Sequence, residues 1–278
     1  MGIHVIGPTD WETIDRLNEE LADVPENGSF KLGGRHFEAQ GQFKRFDRAG
    51  VPTVQWTTNR SIATTWLQNG AAVLGRDRYH SRGEDIVLAS RVADITPAWN
   101  AKALWTKFVP SSAEWRFHII DGRCISRDLK IFNRPGQSRG SLASIRARAW
   151  DWSARHDIEP PPEARRAAIE AVAALEGYTH GAVDVLITEA GHPVVLEVNR
   201  CPGMDAYTRE RWCRAIRAYV TAHPGSPVHP NARTRRADRR AETFPPPIRP
   251  WTSYREWAPT VRNSPVPKTA FYEGVEVL

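Results

Sequence analysis

Cysteine is scarce in this chain: Cys124, Cys201 and Cys213 are the only three. Their number is odd and their spacing suits neither a disulfide framework nor a zinc site, which fits a reducing, cytoplasmic setting. No apolar run approaches the roughly 20 residues that a membrane-spanning helix needs. The first residues, Met1-Gly2-Ile3-His4-Val5-Ile6-Gly7-Pro8, lack a basic stretch followed by a long apolar one, so no signal peptide and no membrane association are expected. Gly-x-x-x-x-Gly-Lys-Ser/Thr and Gly-x-Ser-x-Gly are both absent, which excludes a P-loop nucleotide site and a nucleophile-elbow hydrolase. The chain carries no internal repeat.

What is present describes a globular protein. The 278 residues are 41% hydrophobic, enough for one large domain or two small ones. The net charge of +6 suits a polyanionic partner, nucleic acid or the phosphates of a nucleotide. Much of the excess lies in one place. After Pro224, prolines alternate with Arg233, Arg235, Arg236, Arg239 and Arg240, as in a linker or partly disordered tail. The chain therefore divides into a short N-terminal segment (1–42), a central body (43–223) and a Pro/Arg-rich tail (224–278).

Periodicity and turn residues outline the body. Residues 43–50 read as a short helix stopped by Gly50, and 60–68 as a helix capped at Thr57-Thr58-Asn59. Strands are expected at 71–74, 86–89, 104–109 and 115–120, the last turning at Asp121-Gly122 into 123–126. Residues 133–144 read as a polar loop, 163–176 as an amphipathic helix and 209–222 as a last helix.

The chemistry concentrates in residues 181–203. Two apolar strands, 182–187 and 193–198, flank a turn containing Gly191 and should pair as an antiparallel hairpin. Side chains alternate faces along a strand, so Glu197 and Asn199 share one face, and Asp184 on the partner strand can share it too. Two carboxylates and an amide among apolar neighbours are costly unless something positive joins them. Hard oxygen donors on rigid strands suit Mg²⁺, completed by substrate phosphates.

This hairpin resembles the ATP-grasp superfamily, in which an acidic residue on one strand and a Glu-x-Asn ending the next, followed by Pro-Gly, hold magnesium. The resemblance makes Asp184, Glu197 and Asn199 the metal ligands and matches Pro202-Gly203 to the turn that follows; Arg200 stands where many members have a small residue. Upstream, Glu114-Trp115-Arg116-Phe117-His118 resembles the Glu-Tyr-Arg-Val-His strand of phage-type members. A phosphoryl-transfer site needs cations, for which Arg116 is the first choice and Lys130 or Arg127 the second. Residues 76–86 resemble the loop that covers the phosphates, with Arg76 in place of a lysine and Ser81, Arg82 and Gly83 as further phosphate contacts. Residues 104–109 would be the adenine-binding hinge, bringing in Lys107, Phe108 and Val109.

The resemblance covers about 43–222. It implies an α+β, ATP-grasp-like fold in which two α+β lobes clamp ATP. It also implies an ADP-forming, carbon–nitrogen ligase that uses ATP and Mg²⁺ and joins small-molecule or peptide carboxylates to amines through an acylphosphate. Such an enzyme would work in the cytoplasm, a phage-infected bacterial cell being one setting. Two other readings stand beside it: a non-catalytic relic of the fold, and a nucleic-acid-associated binding protein that uses the basic tail.

Overall fold

In the computed structural model the described residues are 2–6, 12–32, 37–77, 86–132 and 152–223. The polar loop at 133–144, most of the phosphate-covering loop (78–85) and the tail lie outside them.

The chain begins with a small parallel unit. Strand β1 (Ile3–Ile6) pairs with β2 (Gly28–Lys31) through helix α1 (Glu12–Leu21). In α1 the i, i+3, i+7 set Ile14, Leu17 and Leu21 is buried, the stripe expected of a helix laid on a sheet. Asn18 closes the free edge of β1, accepting from the Val5 N–H at 2.7 Å and donating to its carbonyl at 3.0 Å. One amide side chain thus does what a neighbouring strand would do.

Helix α2 (Ala39–Ala49) ends at Gly50, whose φ of 73° is left-handed, a conformation that glycine adopts without strain. Next comes a four-stranded antiparallel sheet in the order β3 (Trp56–Thr57), β6 (Leu104–Lys107), β4 (Val73–Arg76), β5 (Val87–Ala89). Helix α3 (Arg60–Gln68), whose first turn is capped by the Asn59 side chain on Ser61 N–H, packs on this sheet with the short α4 (Pro97–Asn100). Ala63, Leu67, Val73, Ala89, Trp99 and Trp105 form the core of this lobe.

Residues 108–110 lead into the second sheet, a five-stranded antiparallel one in the order β11 (Pro193–Asn199), β10 (His180–Thr188), β7 (Ser111–Ile120), β8 (Arg123–Phe132), β9 (Trp152–Arg155). β7 and β8 join through Asp121-Gly122, with φ of 50° and 74°, the pair of positive angles that matches the twist of a two-residue hairpin. Helix α5 (Pro162–Ala174) lies on one face of this sheet through Ala164, Ala167, Ala168, Ala171 and Val172. These small side chains let it sit close to Trp115, Phe117, Val183 and Val185 in the main core, which α2 joins through Phe43 and Phe46. The last helix, α6 (Ala206–Ala222), is shared. Its Trp212, Ile216, Tyr219 and Val220 pack with Ile120 of the five-stranded sheet and with Ile3, Val5, Leu17, Leu21 and Phe30 of the N-terminal unit. No helix among the described residues is long and apolar enough to cross a membrane.

Candidate active site

The five-stranded sheet has one apolar face and one polar face. Alternation along β7 sends Trp115, Phe117 and Ile119 into the cores and puts Glu114, Arg116 and His118 on the polar side. Cross-strand register then builds a row: Glu197 opposite Asp184, Asp184 opposite Arg116, Arg116 opposite Asp128. Directly opposed residues of an antiparallel pair lie within side-chain reach, so four strands contribute one polar line.

The bonds in that line are specific. Arg116 donates from Nε and Nη2 to the two carboxylate oxygens of Asp184, at 2.8 and 2.9 Å. This parallel pair is the strongest geometry available to a guanidinium and a carboxylate. Lys130 Nζ stands 3.0 Å from Asp184 Oδ2 and donates to Glu114 Oε1 at 2.6 Å. Lys130 and Glu114 are both buried, as is Asp184. Burial opposes ionisation of Asp184, but the charges and hydrogen bonds of Arg116 and Lys130 outweigh it and hold its carboxyl well below the usual range. For Arg116, burial likewise opposes the charged form, and Asp184, with Glu197 and Glu114, more than offsets it. Asp184 and Arg116 are thus each held toward the charged form by the other.

β11 reaches the row through an irregularity. Val185 pairs with Val195 but Asp184 pairs with Glu197, so Leu196 is an extra residue, a β-bulge. In an unbroken ladder Leu196 would face Asp184, and Glu197 and Asn199 would turn to the apolar side, because a one-residue slip exchanges faces. With the bulge, Glu197 faces Asp184 and Asn199, opposite Ala182, donates from Nδ2 to Glu197 Oε1 at 3.0 Å. Both lie half-buried at the end of the strand. Arg76, at the end of β4 in the other sheet, is buried. Burial weakens its charged form, and the field of Glu197 works the other way, placing the two lobes' charges in each other's reach. Among the described residues Arg76 Nε finds no hydrogen-bond partner.

The structure therefore brings Asp184, Glu197, Asn199, Arg116 and Lys130 together on one face of the five-stranded sheet, with Arg76 of the other sheet in electrostatic reach of Glu197. It does not bring Arg127 there. Arg127 and Lys130 are three apart, so they leave β8 on opposite faces; Arg127 is opposite Phe117 and pairs with Glu159 beside α5. Ser81, Arg82 and Gly83 lie outside the described residues. In the hinge, the N–H of Lys107 donates to the Gln55 carbonyl and that of Phe108 to the Ala72 carbonyl, each at 2.9 Å, so both donors serve strand pairing. Lys107 Nζ lies 5.4 Å from the centre of the Trp66 ring, and Val109 is buried in the main core.

Glu114 belongs to the site and was legible only as part of a motif; its position two residues before Arg116 on the same strand was the signal. A second polar string runs from the row toward α6. Trp212 donates its indole N–H to His118 Nδ1 at 3.0 Å, which leaves the His118 Nε2–H to face Asp128 Oδ2 at 3.1 Å. Asp128 Oδ1 lies 3.1 Å from His156 Nδ1, an ion-pair distance without hydrogen-bond alignment, and His156 Nε2 reaches Asp205 at 2.9 Å. His118 is thus a satisfied core histidine.

Among the described residues no group of three or more His, Cys, Asp or Glu side chains encloses a metal unaided. The donor set at the end of β11, two carboxylates and an amide oxygen, nevertheless fits Mg²⁺, which takes few protein oxygens and completes its shell with water and phosphate. Asn199 donates its NH₂ to Glu197, so its carbonyl oxygen is the atom left to serve a cation.

No family model and no curated protein matches the chain. Solved structures do. D-cycloserine synthetase DcsG matches with a TM-score of 0.50 at 14% identity, over 78% of this chain and 99% of that one. A Chryseobacterium gregarium RiPP-associated ATP-grasp ligase, in complex with ADP and a leader and core peptide, matches at 0.50 and 14%, over 70% and 63%. The ATP-grasp ligase PsnB, complexed with minimal precursor, Mg and ADP, matches at 0.50 and 14%, over 66% and 57%. The chain thus spans less than two thirds of the length of the last two. The likeness is one of fold: the architecture is the α+β ATP-grasp fold.

Proposed function

We propose that this protein is an ATP-dependent ligase that joins a carboxylate to an amine through an acylphosphate. The observation that carries the reading is the row Glu197–Asp184–Arg116 with Lys130 and Glu114, facing Arg76 of the other lobe. A fold is not a function; the row supplies the chemistry that the fold leaves open.

In this reading Glu197 and Asn199, with Asp184, would hold magnesium, which when bound would neutralise phosphate charge. A substrate carboxylate oxygen attacks the γ-phosphorus, and the bond from phosphorus to the ADP oxygen breaks. Arg116 and Lys130 oppose the repulsion between the two anions, and they are already oriented by Asp184 and Glu114, so little reorganisation is needed. An amine then attacks the acyl carbon, expelling inorganic phosphate and leaving an amide. Arg76 contributes a cation from the opposite lobe. Solved structures of this fold include a D-cycloserine synthetase and a ligase in complex with a leader and core peptide, and a small-molecule or peptide carboxylate is the substrate class we assign. The nucleic-acid reading rests on the tail, outside the described residues.

Thermal unfolding with the non-hydrolysable analogue AMPPNP, with and without Mg²⁺, tests the site. A ligand at about a hundred times its Kd stabilises by about 2.7 kcal/mol. The expected result is a magnesium-dependent rise in Tm for the wild type that is lost in Glu197→Gln. An equal rise in both proteins would remove Glu197 from the metal site.

A further inference from the structure

The metal-facing end of β11 depends on a strand that is not there. β11 is the edge of its sheet, and an edge strand has no ladder on its outer side to hold its phase. It also carries the bulge at Leu196, where phase matters most. On either side of that bulge the outer backbone groups are held by the segment around α2. Before it, Val195 donates its N–H to the Pro52 carbonyl at 2.8 Å, and its own carbonyl accepts from Thr53 Oγ1 at 2.8 Å. After it, Val198 donates its N–H to Gln42 Oε1 at 2.8 Å, and its carbonyl accepts from Gln42 Nε2 at 3.2 Å. The same Nε2 donates to the Phe37 carbonyl at 3.3 Å. Gln42 is buried. Its amide acts as a single strand residue laid against Val198, the residue between Glu197 and Asn199.

We infer that Gln42 is a positioning residue: by pairing with both backbone groups of Val198 it holds β11 in the bulged phase that turns Glu197 and Asn199 toward Asp184. The Pro52–Thr53 contact holds the strand before the bulge and Gln42 holds it after. Without Gln42 the backbone of Val198 loses the contact that separates the bulged phase from the regular one, in which Leu196 takes the place of Glu197. Gln42 touches neither the nucleotide nor the metal in this scheme and acts through Val198. That it serves a magnesium site rests on the proposed function; that it sets the phase of β11 does not.

The experiment compares Gln42→Met, which keeps length and apolar bulk but removes all three hydrogen bonds, with Phe46→Leu. The latter loosens the same helix in the core and keeps the Gln42 hydrogen bonds to Val198. Two quantities are read in the full chain: the Mg²⁺ concentration that gives half the AMPPNP-dependent rise in Tm, and the exchange rate of the Val198 amide. Gln42→Met should raise the magnesium requirement at least tenfold and speed Val198 exchange at least a hundredfold over the wild type. Phe46→Leu should lower Tm while leaving both within a factor of two. If Gln42→Met and Phe46→Leu shift the two readings alike, or Val198 exchange stays slow in Gln42→Met, the inference is overturned. If the wild type shows no magnesium-dependent rise, the functional reading fails, and the exchange arm alone decides whether Gln42 holds the strand.

Discussion

His180 shows how a single buried side chain sets a pH limit. It lies under α6, its ring 5.9 Å from Trp212 and 5.8 Å from Phe30, and its Nε2–H donates to the Arg200 carbonyl at 3.1 Å. Burial pushes its pKa down to about 4, the bond to Arg200 opposing the shift. In the unfolded chain the ring takes a proton near its ordinary value of about 6.5. Between the two values the unfolded state binds more protons, so stability rises with pH there. The His180 contribution is complete above the unfolded value and is lost as pH falls toward 4, a change of about 3 kcal/mol. Urea unfolding from pH 7 to 4 should show this loss in the wild type and not in His180→Gln, which keeps a donor and has no proton to take up. Parallel curves for the two proteins would mean that the ring is not held neutral. Asp184 acts in a lower window: its carboxyl is held below the usual range, so its contribution is present above the unfolded value and fails only as pH falls beneath it.

At the scale of elements, the faces of strands decide which residues can act together. The sequence reading located the β10–β11 hairpin, the Asp121-Gly122 turn, the helix stopped by Gly50 and the last helix to within a few residues, because each is written in local periodicity and turn chemistry. It grouped Asp184, Glu197 and Asn199 on one face, and the structure places them together. The bulge at Leu196 that makes this happen was not legible, since an extra residue in a ladder is set by the pairing of distant backbone, here with Pro52, Thr53 and Gln42. In the β1–α1–β2 unit α1 carries a clear apolar stripe, whereas β1 and β2 are four residues each and gain their place from α6, almost two hundred residues away. Arg127 is a different case. Its spacing of three from Lys130 already set them on opposite faces of β8. Arg127→Ala should therefore leave the AMPPNP and Mg²⁺ response unchanged and cost under about 1 kcal/mol, the value of an exposed ion pair. Lys130→Met leaves Glu114 without its buried cation, while Asp184 keeps Arg116; breaking a buried pair costs about 3–5 kcal/mol, and the variant should abolish the response. Equal effects of the two variants on nucleotide binding would contradict the two-faced assignment.

For the whole molecule the question is whether the N-terminal unit is an appendage or part of the body, and α6 answers it. One side of the helix meets the sheet that carries the site: Trp212 is fully buried, and its indole N–H fixes the tautomer of His118, the neighbour of Asp128 in the polar string. The other side meets α1 and β2 through Ile216, Tyr219 and Val220, with Arg217 paired to Glu26 at 2.9 Å and Arg209 to Glu20. Cys213 sits in that seam, bonded to Glu20, its thiol pushed up to about 12 by burial and by the carboxylate. A helix packed on two sides transmits a loss on one side to the other. Trp212→Ala should cost about 3–5 kcal/mol, the usual range for emptying a buried aromatic site, and His118 Nδ1 loses the indole N–H that donates to it. If α6 joins the two bodies, the variant should still unfold in one calorimetric transition, at a lower Tm. The rate at which Cys213 reacts with a thiol reagent should rise along with this global loss, since the thiol is reached only when the seam opens. Two transitions, with Cys213 labelled in the first while the near-ultraviolet signal of the tryptophan-rich body persists, would show instead that residues 2–32 fold and melt on their own.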